Sequence, residues 1–222
     1  KAVIMGVQSI QLGDAQTVVA GGMESMSTAA FYLPAGRFRT GQYGHGGPLL
    51  DSILRDGLLD PATGKHMGEI AEMTAAEMKI SRQQQDEYAL KSYQCAQQAL
   101  DKGLFRDEIV PIDGTISVDE EPSRVNFDKI SQLRPAFVKT GTITAANASK
   151  LNDGASALLL SASEKGAVAQ VLAYGEAELP PHQFTIAPAT AIPLALSRAF
   201  PDDHGDLTRS LQRVSRLEVN EA

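Results

Sequence analysis

An α/β protein carrying an inserted, loop-rich subdomain is the fold class this sequence predicts, and three observations carry it. A helical stretch, Lys1 to Leu12, passes through a short turn into an apolar run, Thr17 to Ala20, that reads as a buried strand. A second short apolar run, Gly154 to Ser161, has the composition of a strand from the same sheet. Between them, from Met26 to about Leu151, the texture changes to glycine-rich loop and then to polar helices. Helix, short turn, strand is an α/β signature. Residues 1–25 and 152–165 therefore read as parts of one half of the fold, 26–151 as the insertion, and 166–222 as the opening of a second half.

Each element has a local reason. The first helix has apolar Ala2, Val3, Met5 and Ile10, and Gly13 stands where glycine is favoured just past a helix end. The strand after it should end in Gly21-Gly22. Gly36, Gly41, Gly44, Gly46, Gly47 and Pro48 make the start of the insertion loop-rich. Ser81-Arg82-Gln83-Gln84 has capping-box form, with a serine hydroxyl for orphan amides and a glutamine three residues on. The helix it opens sets Ala89, Tyr93, Ala96 and Leu100 on one face, and Gly103 ends it. Cys95, beside that stripe, is expected to be a packed structural cysteine. Asn152-Asp153-Gly154 bounds the second strand. Further on, Val168 to Tyr174 is expected as a strand and Ala189 to Phe200 as a helix with Pro193 near its first turn, where proline is tolerated. Leu217 to Asn220 is expected to begin another strand.

Composition narrows the function classes. Of 222 residues, 43% are hydrophobic and 21% charged, as in an ordinary globular protein. No window has the roughly 18 apolar residues of a membrane span, and no signal-peptide pattern opens the chain, so a cytoplasmic or mitochondrial-matrix setting is expected. A single cysteine excludes an internal disulfide framework and a multi-thiolate zinc site, and the four histidines lack ligand spacing, which argues against metal catalysis. A net charge of -7 argues against nucleic acid and anionic membrane as partners, because those need a basic field. Any phosphate-bearing ligand must be held by local charges.

Four groups of residues say more than periodicity does. Val19-Ala20-Gly21-Gly22-Met23-Glu24-Ser25-Met26-Ser27 follows the first strand, and His66-Met67-Gly68 precedes a helix. Gly141-Thr142-Ile143-Thr144-Ala145-Ala146-Asn147-Ala148-Ser149 leads into Leu151-Asn152-Asp153-Gly154-Ala155, and Glu218-Val219-Asn220-Glu221-Ala222 comes last. Each resembles a thiolase segment, and they stand in the thiolase order. The resemblance is closest to the biosynthetic, acetoacetyl-CoA-forming type, through Glu120-Glu121, Arg124-Val125-Asn126-Phe127 and Glu218-Val219-Asn220.

The resemblance implies an αβαβα layered sandwich, of which this chain supplies part, and assembly as homodimer or homotetramer. It implies an acyltransferase that condenses two acetyl-CoA to acetoacetyl-CoA and CoA, or runs the reverse thiolysis, through a cysteine thioester. Coenzyme A thioesters would be substrates, with no prosthetic group. Covalent catalysis of this kind needs a thiolate, a base and oxyanion donors. In the family the nucleophilic cysteine lies a few residues before the lysine matching Lys1, while the histidine of Gly-His-Pro and a second cysteine lie after Asn-Glu-Ala. All three fall outside these 222 residues, so the chain by itself is expected to be inactive. Asn220 is the catalytic residue the resemblance leaves within it, orienting an oxyanion-hole water through an amide that both donates and accepts.

For coenzyme A, the resemblance points to His66 and Met67 along the pantetheine arm, and to Arg124, Val125, Asn126 and Lys129 near the nucleotide. It places Leu133, Phe137, Ala145 and Ser149 along the tunnel. Arg124 and Lys129 can pair with phosphate, and Phe137 with Met67 can cover an apolar stem. Some relatives bind potassium through carbonyls matching Ala145, Ala146 and Ala148 and a tyrosine; here Pro122 takes the tyrosine's place, a departure that counts against the site.

Plainer readings stand beside these. His66 could be a core-edge histidine, Arg124 and Lys129 solvated charges, and Asn220 a turn former closing a strand. A second function class also stays open: a non-catalytic paralogue or fragment that keeps the insertion as a CoA-binding or subunit-contact module.

Overall fold

The computed structural model describes residues 1–33 and 49–221. Its elements are α1 (Ala2–Gln11), β1 (Thr17–Glu24), β2 (Phe31–Tyr32), β3 (Leu50–Asp51), α2 (Met67–Glu77), α3 (Arg82–Asp101), α4 (Glu121–Arg124), β4 (Gly154–Ser161), α5 (Pro188–Ala199) and α6 (Leu207–Gln212). A π-helical turn (Ile53–Leu58) and short 3-10 turns fill some of the gaps. The glycines from Gly36 to Gly47, with Pro48, lie outside the described residues. The chain divides into two compact units, residues 1–64 with 150–221, and residues 65–149.

In the first unit β1 pairs antiparallel with β4, in register from Thr17 opposite Ser161 to Glu24 opposite Gly154. The two apolar runs thus share one sheet, as their composition predicts, but they are not the buried strands expected: Ala20 alone is buried, and Val19, Leu158 and Leu159 are exposed. β1 does not stop at the paired glycines but continues to Glu24. Gly21 makes this possible, since a side chain there would run into the Ser156 and Ala157 backbone of β4. Gly6 is buried for a related reason: a Cβ would meet Leu160 Cδ1 at 2.7 Å and Val18 Cγ1 at 3.2 Å, so its bareness lets α1 lie against the sheet above Ala20, 5% exposed. At the helix end the Leu12 N–H reaches Gln8 O at 2.9 Å and Gly13 takes φ +81°, the left-handed closure its position predicts.

The turn before β4 is tied to the chain after β1. Asp153 accepts from the Ser27 hydroxyl at 2.5 Å and the Ser27 N–H at 2.9 Å. The Ser27 hydroxyl bond above all, then its N–H, holds the Asp153 carboxyl below the usual carboxylate range.

Three expectations for the end of the chain are corrected. Val168 to Tyr174 forms no strand: among the described residues nothing pairs with it, and Val168, Val171 and Leu172 are exposed. Side chains fix this stretch instead, Gln8 Nε2 donating to Tyr174 Oη at 2.9 Å and Arg198 to Tyr174 O at 2.8 Å. Leu217 to Asn220 is likewise without a ladder. α5 begins at Pro188, which places Pro193 inside the helix and not in its first turn. Without an N–H, Pro193 leaves the carbonyl of Ala189 without its helical donor.

Beyond α5, Asp203 is 3% exposed and accepts from Ser210 Oγ at 3.0 Å. Arg209 Nε lies 3.0 Å from its Oδ1 as an ion pair outside hydrogen-bond alignment, so among the described residues no hydrogen bond reaches that oxygen. Arg213 approaches Oδ2 at 3.5 Å and stacks over Phe200, 3.9 Å from the ring centroid.

The second unit is built on α2 and α3. Ser81 and Gln84 form the reciprocal cap their spacing predicts, at 3.2 Å and 2.8 Å. Gly103 takes φ +64° beyond the other end. Ile70, Ala75, Ala89 and Ile130 form the core, with exposures from 1% to 8%. Cys95 is exposed, not packed. It stands two residues after Tyr93, and at about 100° per residue that carries it to the far side of the helix.

Candidate functional site

The His66-Met67-Gly68 sequence folds as the head of α2. His66 is the N-cap: its Nδ1 accepts from the Gly68 N–H at 2.9 Å, while Glu69 reaches back to the His66 N–H at 2.8 Å. A ring nitrogen that accepts carries a lone pair, so the neutral imidazole holds its proton on Nε2, leaving that nitrogen as the donor. The ring stacks on Phe137, with centroids 4.8 Å apart and planes 24° apart. Gly68 makes room for this, because a Cβ there would press on the Phe137 ring, with Cδ1 at 2.5 Å. Met67 is half-buried beside them.

Phe137 is presented by a segment that doubles back on itself, with Ala136 N–H bonded to Ile143 O at 2.8 Å and a bridge between Pro135 and Thr144. Residues 141–149 follow, and side chains from two helices hold them. Glu72 of α2 accepts from the N–H groups of Thr142 and Ile143 and from the Thr142 hydroxyl. Asn147 accepts from Thr144 N–H at 2.7 Å and donates to Thr142 O at 3.2 Å and Asp86 Oδ1 at 3.0 Å. Asp86 pairs with Arg82 at 2.6 Å. Thr144 is fully buried, while Ala145 and Ser149 are exposed and Ala146 and Ala148 half-buried.

Arg124, Val125, Asn126 and Lys129 lie on one short stretch, from the end of α4 into the 3-10 turn Phe127–Gln132. Arg124 pairs with Glu120 at 3.4 Å, and with side chains 69% and 62% exposed the pair is a solvated one. Asn126 and Lys129 are exposed; Val125 and Leu133 are half-buried. α3 anchors this stretch: Tyr93 Oη bonds to Glu121 at 2.9 Å, Gln97 to Pro122 O at 2.6 Å, and Arg82 to the carbonyls of Ile130 and Leu133 at 3.0 Å each. Asn220 belongs to the first unit and is exposed in irregular backbone.

The second unit therefore holds every coenzyme A candidate, with His66 and Phe137 in direct contact. Sequence reasoning missed Glu72, Asp86 and Arg82, which act through tertiary hydrogen bonds. The one available signal was Glu72 four residues after Gly68, a carboxylate on the helix face that the glycine opens. Among the described residues no group of three or more His, Cys, Asp or Glu is placed to hold a metal ion, and no helix is long and apolar enough to cross a membrane.

Residues 1–164 match the family described as Thiolase, N-terminal domain. The chain belongs to the thiolase family. Among similar proteins, a thiolase is 41% identical over the whole of this chain and 56% of its own length, the acetyl-CoA acetyltransferase of Yarrowia lipolytica. The probable acetyl-CoA acetyltransferase of Dictyostelium discoideum is 44% identical over the whole chain and 55% of its own length. The chain thus spans about half the length of the curated thiolases it matches. A crystal structure of a thiolase from Ascaris suum in complex with coenzyme A superposes with a TM-score of 0.80 at 42% identity, covering 89% of this chain and 53% of that one. A thiolase-like α/β fold follows. Thiolases named as cytosolic and as mitochondrial are both among the relatives.

Proposed function

We propose that this chain is the coenzyme A-binding portion of an acetyl-CoA acetyltransferase, which condenses two acetyl-CoA to acetoacetyl-CoA and CoA or runs the reverse thiolysis. The observation that carries this is the His66–Phe137 stack at the head of α2, on residues that thiolase resemblance assigns to the pantetheine arm and tunnel. In this reading residues 26–151 are the inserted coenzyme A subdomain, between 1–25 with 152–165 and 166–222.

His66, through its Nε2 proton, and Met67 line the pantetheine arm. Phe137 and Leu133 give it an apolar wall, with Ala145 and Ser149 beside it. Arg124 and Lys129 meet phosphate near Val125 and Asn126, and Arg124 exchanges its solvated Glu120 partner for the ligand's charge. Asn220 orients the oxyanion-hole water. The nucleophilic cysteine, the histidine and the second cysteine belong to thiolase motifs that none of these 222 residues matches. A potassium site on the carbonyls of Ala145, Ala146 and Ala148 would lack the tyrosine oxygen that some relatives supply, because Pro122 has no hydroxyl, is buried, and has its carbonyl engaged by Gln97. The working assembly is a homodimer or homotetramer in the cytosol or the mitochondrial matrix.

Calorimetry with CoA tests the reading. Binding should be measurable, and Arg124→Ala or Lys129→Ala should weaken it by about 1–3 kcal/mol through loss of a charge-assisted phosphate contact. Unchanged affinity would make both residues solvated surface charges, and no binding at all would end the reading.

A further inference from the structure

Glu72 stands on α2 one turn after Gly68, so the two share a face of the helix. Its carboxylate takes the Thr142 N–H at 2.8 Å on each oxygen, the Ile143 N–H at 2.7 Å on Oε1 and the Thr142 hydroxyl at 2.9 Å on Oε2. Together with Thr144 N–H, held by Asn147 Oδ1, three successive backbone donors are satisfied by side chains rather than by a ladder. Gly141 is fitted to this arrangement: a Cβ there would come within 2.6 Å of Glu72 Cδ and 2.9 Å of Val138 O. From the other side Gln85 donates to the Thr142 hydroxyl at 2.8 Å.

An apolar residue at 72 could cover the same surface but would leave these donors unpaired, and the cost of an unmade hydrogen bond exceeds the gain of a made one. The carboxylate therefore decides which backbone conformation residues 141–143 adopt, and through them where the following residues go. We propose that Glu72 is a positioning residue that sets the loop 141–149 and so presents Ala145 and Ser149 to the pantetheine arm of coenzyme A. This rests on the coenzyme A reading given above.

Glu72→Met and Glu72→Gln test it, because both side chains match glutamate in length and helix preference, while glutamine alone keeps a strong acceptor. Two measurements are made on the protein: amide hydrogen exchange at Thr142 and Ile143 without ligand, and CoA affinity by calorimetry. Glu72→Met should speed exchange at these two amides and weaken CoA binding, each by about tenfold or more, with exchange at Ala89 in α3 unchanged. Glu72→Gln should recover most of both. Equal losses in the two variants would show that hydrogen-bond acceptance at 72 is not what sets the loop and overturn the proposal, as would a Glu72→Met protein that binds CoA like its parent. Should Glu72→Met fail to fold, Glu72→Ala, which also removes the acceptor, takes its place: faster exchange at Thr142 and Ile143 with weaker CoA binding supports the proposal, and parental values overturn it. A parent that binds no CoA refutes the coenzyme A reading itself, and the exchange measurement still reports whether Glu72 sets the loop.

Discussion

Gly68→Ala sets two effects of opposite sign against each other. Replacing glycine by alanine within a helix ordinarily stabilises by about 0.5–1 kcal/mol, and less in the first turn, where Gly68 sits. Here the added methyl would meet the Phe137 ring, with Cδ1 at 2.5 Å, and that ring is also stacked on His66. Overpacking of this kind costs about 1–3 kcal/mol, and loss of an aromatic pair about 0.5–1.5 kcal/mol more. The clash wins, for a net loss of about 1–4 kcal/mol. Chemical denaturation is the assay, run as a double-mutant cycle with Phe137→Ala. Once the ring is gone the methyl has space, so Gly68→Ala should become neutral or slightly stabilising in that background. If Gly68→Ala were neutral with Phe137 present, or equally damaging without it, the argument that this glycine exists to admit the ring would be refuted.

Three further outcomes are expected. Asp153 has a folded-state pKa below its unfolded one, so its contribution to stability is present above the ordinary carboxylate range and is lost as pH falls through the depressed value; Ser27→Ala should flatten the acid limb of thermal midpoints taken from about pH 6 down to about pH 2. Asp203→Ala should destabilise by about 1–3 kcal/mol in denaturant, less than a fully buried pair would, because the orphaned Arg209 and Arg213 are 63% and 48% exposed and regain water. The 222 residues alone should give no acetoacetyl-CoA thiolysis, followed by loss of enolate absorbance, since missing members of a catalytic set remove about four to six orders of magnitude; turnover that vanished in Cys95→Ser would make Cys95 the nucleophile after all.

What the sequence revealed was local chemistry. Ser81 with Gln84, and Gly13 and Gly103, could be read because capping hydrogen bonds and left-handed closure depend on residues within one turn. The β1–β4 pair was legible because two short apolar runs bounded by turn residues suit neighbouring strands of one sheet, but their burial was not, since only Ala20 among them is buried. Val168 to Tyr174 misled for the complementary reason: its composition suits a strand, but a strand exists only where a neighbour supplies a ladder, and here Gln8 and Arg198 hold the segment by its tyrosine. Cys95 reads as packed because it lies beside the apolar stripe of an amphipathic helix, whereas its angular position on α3, two residues past Tyr93, leaves it exposed. At the site, the resemblance named His66 and Phe137 separately, and their stacking depends on the bareness of Gly68. Glu72 was silent because the amides it receives lie about seventy residues away along the chain.

The pairing of Glu24 with Gly154 means that the chain leaves the sheet and re-enters it at adjoining residues. Closing the intervening stretch has an entropic cost that grows only logarithmically, about 0.6 kcal/mol for each doubling of length, so the sheet is nearly indifferent to how large the excursion is. The rate at which the sheet forms is another matter, because β1 must wait for a partner from far along the chain.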